Sequence, residues 1–429
     1  MSGLTTEVLT QINCYRQQAA ALLLYQAVLQ QPIGQHFLQL LEHLASNEAE
    51  QSLRAYGAWF AALAAQDLTW PQYLVRQIQR DDNPFTRQVQ QLTLASLSPA
   101  LVAAAQHDLR ILQALSSCST QAVAQWTERL CHLPRPLVVW EKPQAEALPA
   151  WARLMDWDTE INALTQQYRQ RGTGLFADFY VWRWQSGQLE GVAYPDPIRL
   201  DELAAYDQPR ATLIRNTEFL LAGQPALHVL LYGSRGSGKS SLVKALVNEY
   251  GDRGLRLIEV TKAHLQALPT IVEQVRSLPQ KFILFVDDLS FEEDDESFKA
   301  LKVVLEGSVT ARAQNLVIYA TSNRRHLVRE FFGDRPRPHE ADEVHHWDTV
   351  QEKLSFSDRF GLTLTFEPAD QPTYLAIVQH LAEQANLNLP ADILTAKALQ
   401  WATRHNGRSG RTARQFIDFL KAELALAAE

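Results

Sequence analysis

The residues best placed to do chemistry form one short string. Gly233, Ser234, Arg235, Gly236, Ser237, Gly238, Lys239 and Ser240 fit the pattern G-x-x-x-x-G-K-[ST]. The spacing has a chemical reason. Glycines at 233, 236 and 238 let the backbone curl, so that successive N–H groups face one anion. Lys239 then reaches the outer phosphates of a nucleotide, and Ser240 offers a hydroxyl to Mg²⁺. Ser241 follows in a helix expected over 240–250, whose positive end points at the same phosphates. A second pair of groups lies 48 residues after Lys239, where an apolar run at 281–286 ends in Asp287 and Asp288. A buried strand there delivers Asp287 beside the Mg²⁺ site, and Asp288 is placed to orient or deprotonate a water.

These groups meet only if the elements between them bring their ends to one edge. From residue 198 onward apolar strand candidates at 228–232, 255–260, 282–286, 316–320 and 362–366 alternate with helical stretches. Near-continuous apolar strands of this kind predict a parallel sheet covered on both faces. After Pro368 only helical periodicity remains, at 374–384, 391–405 and 412–427, which predicts a small helical lid.

The first 195 residues differ in kind. Gln is abundant there, Lys142 is the single lysine of the first 200 residues, and most of the tryptophans lie between Trp59 and Trp184. Helical periodicity is read over 8–29, 36–44, 53–65, 73–94, 101–115 and 122–130, and a hairpin over 179–194 around Gln185, Ser186 and Gly187. The Trp-rich composition is expected to be core packing, with a stacking surface as the alternative. Pro195, Asp196 and Pro197 mark the expected hinge. The predicted division is a helical domain over 1–195 ending in the hairpin, an α/β core over 196–368, and a lid over 369–429. The first domain has no glycine-rich anion loop, no Cys–His pairing and no i, i+4 histidine pair, and is expected to supply partner recognition rather than chemistry.

Composition sets further bounds. A formal charge of -8 argues against a chain that lives wholly on phosphate backbones. No apolar run reaches the ~18 residues that a membrane span needs. Cys14, Cys118 and Cys131 make neither a disulfide framework nor a cysteine-rich zinc site. A cytoplasmic protein with no membrane partner is expected.

Three later features resemble the AAA+ superfamily of P-loop NTPases. Thr321, Ser322 and Asn323 end a strand as a sensor 1 does. Ser357, Asp358, Arg359, Phe360 and Gly361 resemble the segment carrying an arginine finger. Arg411 opens a helix as a sensor 2 arginine does, with Arg414 one turn on as its competitor. The strings LYGSRGSGKSSLVKAL at 231–246, DDLSFEE at 287–293 and IYATSNRRHL at 318–327 are similar to a bacterial family of AAA+-type ATP-binding proteins catalogued as a domain of unknown function. So are Glu352-Lys353-Leu354-Ser355 and the Ser357–Gly361 segment. The resemblance runs from about Phe176 to the end. It implies the AAA+ fold, ATP with Mg²⁺ as cofactors, and a homo-oligomer in which Arg359 completes a neighbour's site. Asn323 and Arg411 would then sense the outer phosphate. Asp288 stands where the superfamily usually has Glu. One methylene fewer withdraws the carboxylate by about 1.5 Å, and a misplacement of that size costs ~10²-fold in rate.

The expected function is a Mg²⁺-dependent ATPase that remodels or positions a protein or nucleoprotein partner. The alternatives are a slow-hydrolysing binding switch and a DNA-linked loader. Smaller signals receive plainer readings. The acidic run 292–296 is read as a solvated helix start. The cluster of Arg324, Arg325, His326 and Arg329 is read as solvated or at a subunit interface, with nucleic-acid contact not favoured. The segment 336–348, with His339, His345 and His346, is read as an insertion rather than a metal site.

Overall fold

The computed structural model describes residues 4–142, 148–153, 156–290, 297–306, 313–323, 359–405 and 407–427. The chain forms two compact units, Met1–Asp178 and Phe179–Glu429.

The first unit is helical: α1 (Thr6–Ala20), α2 (Ala27–Gln30), α3 (Pro32–Ala45), α4 (Ala49–Gln66), α5 (Trp70–Arg80), α6 (Pro84–Gln91), α7 (Pro99–Ser116), α8 (Thr120–Cys131), α9 (Ile161–Arg171) and α10 (Leu175–Asp178). Local chemistry sets several starts. Thr69 with Gln72, and Asn83 with Thr86, make reciprocal capping boxes at α5 and α6. Proline opens α3, α6 and α7, where its missing N–H costs nothing. The tryptophans are core, as expected. Trp59 and Trp70 are 1% and 0% exposed, and Trp70 lies 4.2 Å from Phe37 and 5.7 Å from Trp59, ring centre to ring centre. Its indole N–H donates to the Leu115 carbonyl at 2.8 Å, so the polar edge is satisfied.

The helix expected over 8–29 is broken after Ala20. The cause lies far away in the chain. The Asp108 carboxylate on α7 is fully buried and accepts the backbone N–H groups of Leu23, Leu24 and Tyr25 at 2.6–3.1 Å. Those amides are thereby drawn out of helical bonding. The helix expected over 73–94 likewise splits at Asp81–Asn83, where Asn83 caps α6 instead.

The second unit carries a seven-stranded sheet. Its elements are β1 (Val181–Gln185), β2 (Gln188–Gly191), α11 (Asp207–Leu221), β3 (Val229–Gly233), α12 (Lys239–Tyr250), β4 (Leu255–Glu259), α13 (Leu268–Val275), β5 (Lys281–Val286), α14 (Ser297–Glu306), β6 (Leu316–Ser322) and β7 (Leu362–Phe366). The order is β2-β1-β4-β5-β6-β3-β7. Every pairing is parallel except β1 with β2. Both faces are covered: Phe282, Ile283, Leu284, Phe285 and Val286 are all at most 1% exposed. Lid helices Gln371–Gln384, Ala391–Arg404 and Gly410–Ala427 follow, packed on a core of their own. The class expected in outline is present: a mainly parallel α/β sheet followed by a helical lid, after a mostly helical N-terminal region.

The hairpin requires a correction. It forms as read, with Ser186 and Gly187 both at positive φ in a two-residue turn. It does not close the first domain. β1 pairs in parallel with β4, Trp182 opposite Ile258, and so belongs to the sheet. Trp182 and Trp184 bury one face, while Arg183 on the other pairs with Glu259 at 2.8 Å. The division expected at 195/196 therefore falls at 178/179. A cut at 195 would strip two strands from the sheet and bare the β4 edge.

Candidate functional site

All parallel strands end at one edge, and the loop 233–240 leaves β3 there, between β6 and β7. Gly233 has φ +145°, and a Cβ on it would stand 1.9 Å from the Phe366 carbonyl oxygen. Only glycine lets the two backbones approach this closely. The loop then feeds α12, whose first residue is Lys239.

Lys239 is nearly buried, and its ammonium donates to the Ser234 and Gly233 carbonyls at 2.8 and 3.0 Å. The Asn323 Oδ1 lies 3.5 Å away. Burial lowers the Lys239 pKa from its ordinary value, and the carboxylates of Asp287 and Asp288 oppose that shift. The ammonium thus rests on weak, neutral acceptors at the head of a helix, where an anionic oxygen would bind it more strongly.

The acids sit opposite. The Ser240 hydroxyl donates to Asp287 Oδ1 at 2.6 Å. The Thr321 hydroxyl donates to the same oxygen at 2.5 Å. Asp288 takes φ +51°, and its Oδ1 accepts from Asn323 Nδ2 at 2.6 Å. A hydroxyl oxygen beside a carboxylate is a hard donor set, suited to Mg²⁺ with water and phosphate filling the remaining positions.

These groups open on one cavity of about 840 Å³. Of the residues singled out from sequence, Arg235, Gly236, Ser237, Gly238, Lys239, Ser240, Ser241, Asp287, Asp288, Asn323 and Arg411 line it. Gly233 and Ser234 do not; they hold Lys239 from behind. Arg411 arrives from the lid, and its N–H donates to the Gly236 carbonyl at 3.2 Å. Ser409 caps that lid helix through the Thr412 N–H at 3.1 Å.

Arg359 is not in this cavity. It precedes β7, whose first residue, Leu362, pairs with Val229 at the far end of β3 from the loop. Four residue steps at ~3.3 Å put about 13 Å of strand between that level and Gly233.

Sequence reasoning missed two parts of the site. One is the bond of the Thr321 hydroxyl to Asp287: the sequence marks the residue with Ser322 and Asn323 at the end of a strand, but not this contact. The other is the apolar part of the cavity lining, Ile198, Leu203, Tyr206, Phe366, Ile377 and Leu381. These side chains come from segment 196–206, the end of β7 and the lid, which share no fixed spacing. The segment is tied to both sides. Asn248 on α12 donates to the Asp196 and Ile198 carbonyls at 2.8 and 2.7 Å. From the lid, Gln384 donates to the Asp201 carbonyl at 2.7 Å, and Arg414 pairs with Glu202 at 3.0 Å. Arg414, the competitor of Arg411, thus also lines the cavity but is engaged with Glu202.

The runs and clusters at 292–296, 324–329, 336–348 and 352–358 lie outside the described residues. No helix among the described residues is long and apolar enough to cross a membrane.

A family described as a protein of unknown function (DUF815) matches residues 176–424, more than half of the chain. The chain belongs to that family. No curated protein matches the sequence. Among solved structures, Thermotoga maritima RuvB, described as a Holliday junction branch migration motor, is 15% identical, with a TM-score of 0.31, over 52% of this chain and 72% of that one. A point variant of the same protein gives 14% identity and a TM-score of 0.33 over the same shares. Likeness at this level carries no inference about function.

The contact between lid and loop has a testable consequence. Gly236 has φ +76°, and a Cβ there would meet Ser409 Oγ at 2.9 Å and Arg411 Cβ at 3.2 Å. Gly236→Ala combines a left-handed residue, costing about 1–2 kcal/mol, with pressure on the lid. The variant is expected to melt at a lower temperature and bind nucleotide more weakly than wild type. Unchanged melting and unchanged titration of a fluorescent ATP analogue would show that the lid does not rest on the loop in this way.

Proposed function

We propose that this chain binds ATP with Mg²⁺ in the cavity above β3 and acts as a Mg²⁺-dependent ATPase that remodels or positions a protein or nucleoprotein partner. The observation that carries the reading is the Ser240–Asp287 hydrogen bond of 2.6 Å at the head of α12, beside the Lys239 ammonium. A phosphate-binding loop and a metal carboxylate meet there, from segments 47 residues apart. The cavity's apolar side chains suit a base, and its glycine-rich loop with Lys239 suits a polyphosphate.

In this reading Lys239 exchanges its two carbonyl acceptors for phosphate oxygens. Ser240 and Asp287 hold Mg²⁺, which when bound neutralises charge developing on the phosphates. Asp288 orients a water and accepts its proton. Asn323 holds Asp288 in place, and Arg411 brings the lid onto the nucleotide. One observation favours a second reading, a slow-hydrolysing switch. Asp288 is the shorter acid and already spends Oδ1 on Asn323. Nucleic acid is not favoured as the partner, given the acidic balance of the chain.

Lys239→Ala removes one charge-assisted contact, worth about 1.5–3 kcal/mol, which is roughly 10–100-fold in affinity. Isothermal titration should show that loss in a variant that still melts cooperatively. Equal ATP affinity in the two proteins would make the site assignment wrong.

Arg359 lies beyond its own cavity, so we place its role in a neighbouring subunit of a homo-oligomer. Arg359→Ala and Lys239→Ala chains, each inactive alone, should regain turnover when mixed, because one intact composite site forms between them. Failure to complement in a co-assembled mixture would rule out action in trans.

The helical unit 1–178 is proposed to dock the partner. An Asp288→Asn chain should hold the ATP state and retain a partner from lysate, while the same variant of residues 179–429 should not. Equal retention by both would place docking on the second unit.

A further inference from the structure

Asp287 and Asp288 are held by Thr321, which the sequence marks only as the first residue of the string Thr321-Ser322-Asn323. We infer that Thr321 is a positioning residue for both acids, its one hydroxyl setting the orientation of Asp287 and the backbone turn that presents Asp288. The inference rests on the reading of the cavity as an ATP–Mg²⁺ site and extends it.

Thr321 lies in β6, between β5 and β3, and is 2% exposed. Its hydroxyl is used twice. It donates to Asp287 Oδ1 at 2.5 Å and accepts the Asp288 N–H at 2.9 Å. The Thr321 carbonyl then accepts the Leu289 N–H at 2.7 Å. The chain leaving β5 is therefore stitched to this one residue at three consecutive positions. Each stitch has a reason. At Asp287 the Thr321 and Ser240 hydroxyls share Oδ1, which leaves Oδ2 outside this pair of bonds. At Asp288 the backbone turns to φ +51°, a region unfavourable for a residue with a Cβ. The N–H there has left the strand ladder, and Thr321 gives it an acceptor. A β-branched residue suits the task, because its χ1 is stiff and the hydroxyl cannot swing away.

Outer groups that orient a metal carboxylate typically contribute 10–100-fold to metal affinity. The test is a titration of the full chain with a fluorescent ATP analogue, in excess Mg²⁺ and in EDTA, for wild type, Thr321→Val and Thr321→Ser. The readout is the ratio of the two affinities. Wild type should bind more tightly with Mg²⁺. In Thr321→Val the ratio should fall about 10-fold or more, and the Mg²⁺ concentration at half-effect should rise to match. Thr321→Ser, which keeps the hydroxyl, should recover most of the ratio. A purely structural role would weaken both affinities together and leave the ratio at the wild-type value; that result overturns the inference. If Thr321→Val does not fold, Thr321→Ala is read against Thr321→Ser in the same way, and equal ratios in that pair overturn it too. Wild-type chain that binds no nucleotide, or binds it without regard to Mg²⁺, would instead overturn the site reading and this inference with it.

Discussion

One carboxylate oxygen ties the site together. Asp287 Oδ1 receives a hydroxyl from Ser240, at the start of α12, and another from Thr321, in β6. Both bonds form only if β5, β6 and β3 lie side by side, run in parallel and hold register. That demand reaches back into composition. A parallel sheet with helices on both faces needs strands that are apolar on both sides, and the run from Phe282 to Val286 is buried throughout. Each such side chain contributes about 1.5–3 kcal/mol on burial. The polar node at the sheet edge is thus held by an apolar core that has no chemistry of its own.

The opposite side of the cavity is built differently. Segment 196–206 is joined to α12 by Lys244 and Asn248, and to the lid by His380, Gln384 and Arg414. The Lys244–Asp196 pair is 3.4 Å apart with both side chains well exposed, so solvent screening leaves it at most about 1 kcal/mol. The Asn248 and Gln384 amides bond to backbone carbonyls and fix position more than they add energy. That wall rests on several separable contacts, whereas the Asp287 node draws on two elements, α12 and β6, that the sheet holds in place.

This difference explains what could be read from sequence. The glycine-rich loop was legible as a loop because its backbone conformation demands glycine, as the Gly233–Phe366 approach makes plain. The strands were legible because burial on both faces leaves an unbroken apolar run. The hairpin was legible as a hairpin, since Ser186 and Gly187 encode the turn locally. Its place was not, because pairing of β1 with β4 depends on residues more than 70 positions on. The break after Ala20 was hidden for the same reason: Asp108, more than 80 residues away, takes the amides. The apolar lining of the cavity left no signal at all, being assembled from three segments with no common period.

Strand direction also bears on assembly. Within one chain the cavity collects the cations Lys239, Arg235 and Arg411 at the carboxyl ends of the strands. Arg359 lies three residues before Leu362, which opens β7 opposite Val229. A parallel sheet cannot bring both ends of neighbouring strands to the same edge, and a side chain of arginine length cannot span the strand between. On the proposed reading, a nucleotide that Arg359 touches belongs to another chain, and turnover through this arginine would be a property of an assembly rather than of the folded chain.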